Sequence, residues 1–255
     1  MTYCVGIKVN DGLVFCSDSR TNAGIDQVNV YKKMYTFGNP GHCQYCILAS
    51  GNLATTQGVI NQIKKDIDTS SALNLLTMTS IQDATDYIGQ ISVSQQAKTG
   101  GGPAFQANFI VGGQIVGQEH QIMMIYPEGN YISASGLTPF LQIGESKYGK
   151  PILDRIINPD TNLQTSALCA LVSMDSTLKS NLSVGPPIDI QFYHANSLEM
   201  GEYFHFDEDH EYLRQIHTVW NEKLVDAFLQ LPALEISHEP VIAAVPSTNI
   251  NEQKQ

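Results

Sequence analysis

The chain opens on two apolar runs, Tyr3 to Val9 and Leu13 to Asp18, separated by Asn10-Asp11-Gly12. Two such runs around an Asn/Asp/Gly cluster predict a β-hairpin. The turn sets which side chains face which. A two-residue Asp11-Gly12 turn pairs Thr2 with Thr21 and sends Asp18 to the opposite face. A three-residue turn, with Gly12 in the left-handed conformation of a bulge, pairs Val9 with Leu13. It places Thr2 opposite Arg20 and Cys4 opposite Asp18 on one face, because a one-residue slip flips every side chain. The three-residue turn is the expectation, since a charged group beside a buried strand start needs a partner and Lys33 follows a short loop later.

Further on, Cys46 to Ala49 reads as a strand, and Leu53 to Ile67 and Ile81 to Gln96 as helices, the second with apolar residues at helical spacing. Lys98-Thr99-Gly100-Gly101-Gly102-Pro103 is a breaker, and without a Gly-Lys-Ser/Thr ending it is no phosphate loop. Strands are expected at Phe105 to Val111, Ile122 to Tyr126, Tyr131 to Ala134, Ile188 to His194 and Met200 to Phe206, with helices at Ser146 to Ile157 and Leu163 to Leu178. This order is α+β, and several α+β folds satisfy it. Asp207 is expected to cap a last helix to about Gln230, with Leu213, Ile216, Val219 or Trp220, Leu224 and Phe228 as one apolar stripe. That helix is expected to pack on its own core or, in preference, on a neighbouring subunit. The proline- and polar-rich stretch His238 to Gln255 is expected to be disordered. The organisation expected is therefore a domain over 2–206, a helical extension over 207–237 and a tail over 238–255.

Charge and cysteines narrow the function classes. A net charge of −11 argues against nucleic acid and anionic membrane partners, which need cationic patches. Seven acids lie in residues 201–226, while six of the 14 basic residues lie in the first 65, an asymmetry that suits complementary subunit contacts or, equally, a solvated acidic helix. No run of ~20 apolar residues and no signal-peptide pattern is present, so a cytoplasmic protein is expected. Five cysteines cannot form a complete disulfide set, which favours a reducing compartment. Cys43 and Cys46 have Cys-x-x-Cys spacing, but no second pair lies at metal-site spacing; the expectation is two thiols in or beside a strand, with no metal and no cofactor.

The candidate chemistry begins at Thr2. Removal of Met1, which the small threonine permits to a methionine aminopeptidase, leaves Thr2 with its own α-amine. That amine titrates near ~8, so it is a base able to activate the hydroxyl at neutral pH. Lys33 beside the amine would disfavour its protonated form, and Asp18 would hold Lys33 charged and oriented. An attacked carbonyl develops negative charge that needs N–H donors. Ser50-Gly51-Asn52, between a strand and a helix N-terminus, is the obvious supplier.

Four blocks together resemble the bacterial ancestral-beta-subunit (Anbu) proteins, relatives of proteasome β subunits. They are Met1-Thr2-Tyr3-Cys4-Val5-Gly6, Ser17-Asp18-Ser19-Arg20-Thr21-Asn22-Ala23-Gly24, Ser50-Gly51-Asn52-Leu53-Ala54-Thr55-Thr56 and Ser183-Val184-Gly185-Pro186-Pro187-Ile188-Asp189. The resemblance extends to about residue 195. It implies an N-terminal-nucleophile (Ntn) hydrolase, a four-layer αββα sandwich assembled into a homo-oligomer, either a ring or an open helix. It implies Thr2 as nucleophile, Asp18 and Lys33 as the supporting ion pair, and Ser50 and Gly51 at the oxyanion turn. Arg20, Thr21, Asn22, Tyr31 and Leu48 fall near the substrate pocket, and the substrate implied is a peptide or unfolded protein. An ATP-driven unfoldase is left open. Where proteasomes carry an Asp-Ser-x-Ser-Gly block, this chain has Asn181, which holds no charge, and Ser183, one position further from Gly185. Ser146 stands where a second orienting serine would be, or caps the helix from Lys147. These departures leave a weakly active or silent proteasome-like scaffold as the alternative to a threonine peptidase.

Overall fold

The computed structural model describes residues 2–22, 28–98 and 100–234. Its first sheet has the order β10 (Phe140–Gly144), β1 (Tyr3–Val9), β2 (Gly12–Asp18), β11 (Ile188–His194) and β12 (Tyr203–Phe206), all neighbours antiparallel. The second runs β5 (Met34–Asn39), β6 (Cys43–Gly51), β7 (Ala107–Ile115), β8 (Gln121–Ile125) and β9 (Tyr131–Ser133), also antiparallel. β3 (Arg20–Asn22) and β4 (Val28–Val30) form a separate two-stranded ribbon. Phe15, Leu48, Ile110 and Tyr193 belong to the apolar layer between the sheets. Helices α1 (Leu53–Asp68) and α2 (Ile81–Lys98) cover the outer face of the second sheet. The outer face of the first is covered by α3 (Lys150–Ile156), α4 (Leu163–Ser180) and the start of α5 (Glu211–Leu229). The result is an α+β, four-layer αββα sandwich with three apolar layers.

The hairpin register departs from both turns considered above. Val9 pairs with Gly12 and Cys4 with Ser17 across a two-residue Asn10-Asp11 turn, so Tyr3 rather than Cys4 is aligned with Asp18. Gly12 sits outside the turn at φ 144°, where a Cβ would lie 2.0 Å from the Tyr193 carbonyl oxygen. The glycine answers to the close approach of β11, not to the turn.

Two helix starts are corrected as well. Residues 147–149 form a turn and α3 begins at Lys150, with Gly149 at the N-cap and no side-chain cap. Ser146 offers its carbonyl, not a capping hydroxyl, to the Lys150 amide at 3.2 Å. At α5 the cap is His210, whose ring accepts from the Tyr212 amide at 3.2 Å. Asp207 instead approaches His205 Nε2 at 3.3 Å. Leu213, Ile216 and Trp220 of α5 pack on this chain's own core, whereas Leu224 and Phe228 are exposed, Phe228 by 71%. Met1 and residues 235–255, including the tail expected to be disordered, lie outside the described residues. Among the described residues no helix is long and apolar enough to cross a membrane. All five cysteines are unbridged and buried, Cys43 and Cys46 both within β6.

Candidate active site

Thr2 leads into β1 and is held through its backbone. Its carbonyl accepts the Glu145 amide at 2.7 Å. That approach requires Gly144, at φ 83°, because a Cβ there would stand 1.9 Å from the same oxygen. The next amide, of Tyr3, donates to Asp18 Oδ1 at 3.0 Å. The Tyr3 ring is fully buried, its hydroxyl 2.5 Å from Ser173 Oγ and accepting from Gln142 Nε2 at 2.7 Å. The Thr2 carbonyl, the strand that follows and the Tyr3 side chain are thus all fixed.

Asp18 lies completely buried at the end of β2. Lys33 Nζ donates to its Oδ1 at 2.8 Å and the Gly185 amide to its Oδ2 at 3.2 Å. Burial pushes the Asp18 carboxyl up from the usual range, and Lys33 with the Tyr3 and Gly185 amides pulls it back. Lys33 also donates to the Arg20 carbonyl at 2.5 Å, so its ammonium has two acceptors and little contact with water. A buried ion pair with this many hydrogen bonds is a rigid support rather than a large stability gain.

Thr2, Thr21, Lys33, Ser50 and Gly51 share one cleft of about 300 Å³, with Lys32 at its wall. Gly51 ends β6 at φ 110°, where a Cβ would fall 2.4 Å from the Gln106 carbonyl oxygen. Asn52 then caps α1 by accepting the Thr55 amide at 3.0 Å. The cleft is therefore lined by Thr2, by the lysine of a buried ion pair and by a strand-to-helix turn.

Other expected site residues stand elsewhere. The Arg20 guanidinium turns away to the Leu182 carbonyl (3.1 Å) and Glu208 (3.3 Å) and does not line the cleft. Leu48 is fully buried in the apolar layer between the sheets and does not line the cleft. Tyr31 is 37% exposed, its amide bound to the Ser19 carbonyl at 2.9 Å. Asn22 lies in β3 by its backbone, and its side chain is outside what the structure describes. Ser146, Asn181 and Ser183 do not line the cleft. Asn181 caps α4, donates to Glu145 Oε2 at 3.2 Å and accepts the Ser183 amide at 3.0 Å.

Sequence reasoning missed Glu145, Gly144 and Lys32. It singled out Ser146, while the Thr2 carbonyl is held by the amide of Glu145 and approached by the backbone of Gly144.

Residues 2–191 match the family described as proteasome subunit. Anbu from Yersinia bercovieri superposes with a TM-score of 0.88 at 41% identity, covering 92% of this chain and 100% of that one. The chain of the helical Anbu assembly from Pseudomonas aeruginosa gives 0.87 at 45%, covering 91% and 98%. The chain belongs to the proteasome subunit family, in its Anbu branch. A further Anbu, a Gly-1 mutant from Hyphomicrobium sp. strain MC1, matches at 0.88 and 40% identity over 92% and 100% of the two chains. No curated protein matches the sequence. In this Anbu chain the thiol nearest the ion pair is not a rival nucleophile. Burial first, and then the Asp18 charge, push Cys4 well above the ordinary thiol range and keep it protonated.

Proposed function

We propose that this Anbu chain is an N-terminal threonine peptidase working in a self-assembled homo-oligomer in the cytoplasm. One observation carries the reading: Thr2 opens into the cleft that Lys33 also lines, with Asp18 buried behind Lys33. Once Met1 is removed, the Thr2 amine takes the proton from its own hydroxyl as Oγ1 attacks the carbonyl carbon of a peptide bond. Lys33 disfavours a second positive charge on that amine, and Asp18 keeps Lys33 charged and in place. The Gly51 amide is the donor expected for the oxyanion. Collapse breaks the C–N bond, the leaving amine takes the proton, and an ester to Thr2 remains. Water, deprotonated by the same amine, hydrolyses it and restores the hydroxyl. Self-assembly is carried over from the relatives, of which the Pseudomonas aeruginosa protein forms a helical assembly.

One observation favours a second reading, a proteasome-like scaffold with weak activity: Asn181 stands in place of a charged aspartate and donates to Glu145 Oε2 at 3.2 Å. Intact mass before and after a peptide epoxyketone separates the two. That reagent forms its stable ring only when amine and hydroxyl belong to one residue. Loss of methionine and one adduct per chain, absent in Thr2→Ala, supports the peptidase. Loss of methionine with no adduct across several peptide sequences supports the scaffold.

A further inference from the structure

We infer that the Thr2 cleft selects a substrate carrying a carboxylate beside the scissile bond, and that Lys32 reads that charge. The inference rests on Thr2 being the nucleophile, and it adds the substrate class. Two adjacent lysines reach the cleft with different fates. Lys33 is buried and committed to Asp18 and the Arg20 carbonyl. Lys32 is exposed, lines the cleft, and forms no ion pair among the described residues. Its stem is positioned from below, since the Tyr35 hydroxyl donates to the Lys32 carbonyl at 2.6 Å and the Lys32 ammonium lies 5.8 Å from the Tyr35 ring centre. Lys64 sits 6.0 Å from the same ring, so a second cation stands close by.

The rest of the lining agrees. Among the described residues it contains no carboxylate, in a chain whose net charge is −11. With Asp18 neutralised by Lys33, Lys32 supplies the uncompensated charge. Thr21, Ser50 and Thr56 offer hydroxyls, and Leu53 opens α1, whose N-terminal partial charge also favours an anion. Lys32 lines a second hollow of about 230 Å³ as well, together with Thr36, Gln191 and Tyr203. A glutamyl or aspartyl side chain on the acyl side meets an attractive charge there, and a lysyl or arginyl one meets a repulsive charge. Specificity comes from both halves.

The test uses tripeptide epoxyketones identical except for Glu, Leu or Lys at the residue bearing the warhead, with adduct rates read by intact mass. The wild-type chain should react with the Glu reagent about tenfold faster than with the Lys reagent, an interaction of about 1.4 kcal/mol. Lys32→Gln should flatten the order and Lys32→Glu should reverse it. The preference should shrink between 0.1 M and 1 M salt as the screening length falls from about 10 Å to about 3 Å. Adducts at rates indifferent to warhead charge, or an order unchanged in Lys32→Glu, overturn the inference and leave the threonine peptidase standing. If no warhead reacts, the peptidase reading falls, and calorimetry on Thr2→Ala with unreactive peptide amides still decides Lys32. Tighter binding of the Glu peptide, lost when Lys32→Gln is added, supports the inference; equal binding of the Glu and Lys peptides overturns it.

Discussion

Asp18→Asn separates a buried ion pair with almost no change of shape, and its cost follows from the contacts. The Lys33 ammonium, 2.8 Å from Oδ1, loses its only carboxylate among the described residues and retains the Arg20 carbonyl. At that separation the attraction is about 6 kcal/mol for an effective dielectric constant of about 20. Most of it offsets the burial of the two charges, so the measurable quantity is the penalty of stranding one of them, about 3–5 kcal/mol. An asparagine that keeps its oxygen toward Tyr3 and Lys33 also turns its NH₂ toward the Gly185 amide, which then has no acceptor. Urea unfolding followed by circular dichroism at one protein concentration reads the loss. With a slope of about 3 kcal/mol/M, the midpoint should fall by roughly 1–1.7 M. Lys33→Met removes the stranded charge, so the double variant should be more stable than Asp18→Asn alone by at least about 1.5 kcal/mol. A loss below about 1 kcal/mol in Asp18→Asn, or costs that simply add, would refute the view that the pair is desolvated and mutually dependent.

Tyr3→Phe leaves the Ser173 hydroxyl and the Gln142 amide without their shared partner in the core, and should cost about 1–3 kcal/mol in the same unfolding assay. Gly51→Ala forces a Cβ onto the Gln106 carbonyl at a positive φ. It should cost about 1–3 kcal/mol of strain and, at temperatures where the protein stays folded, slow epoxyketone addition. His205 is raised above the usual histidine range, first by its hydrogen bond to Asp189, with Asp207 adding to the effect and partial burial opposing it. A base with a raised folded value contributes stability that is complete below about 6.5 and is lost as pH rises through that value. Unfolding midpoints across pH 6 to 8.5 should therefore fall more steeply in the wild type than in His205→Gln, and identical slopes would count against the contact.

Regular elements were legible where one signal ruled. The strand Ile188 to His194 matches its expected bounds, and α1, α2 and α4 begin at the expected residues Leu53, Ile81 and Leu163. What escaped the sequence was set by partners far along the chain. Gly12 looks like turn chemistry, but β11 passes too close for any side chain there, and the register follows from that contact. Phe140–Gly144 is five residues long and shows a strand's character only through its pairing with β1, so the element that holds the Thr2 carbonyl was invisible locally. Asp18, Lys33, Ser50 and Gly51 were nominated by chemistry, and the fold gathers them around Thr2. Arg20 and Leu48 were nominated by resemblance alone; Glu208 draws Arg20 away and the core between the sheets takes Leu48.

The hold on Thr2 and Asp18 has a consequence for the order in which the protein is made. Tyr3 waits for Ser173, 170 positions later, and Asp18 for Gly185, 167 positions later. At about 5–20 residues per second the ribosome needs about 8–33 s to bridge 167 residues. At the end of that interval β1 and β2 have long been translated, and the Gly185 donor to Asp18 is only then added. A product truncated before Gly185 therefore leaves Asp18 without one of its donors. The hold on Asp18 is completed late, timed by the length of the message between β2 and Gly185.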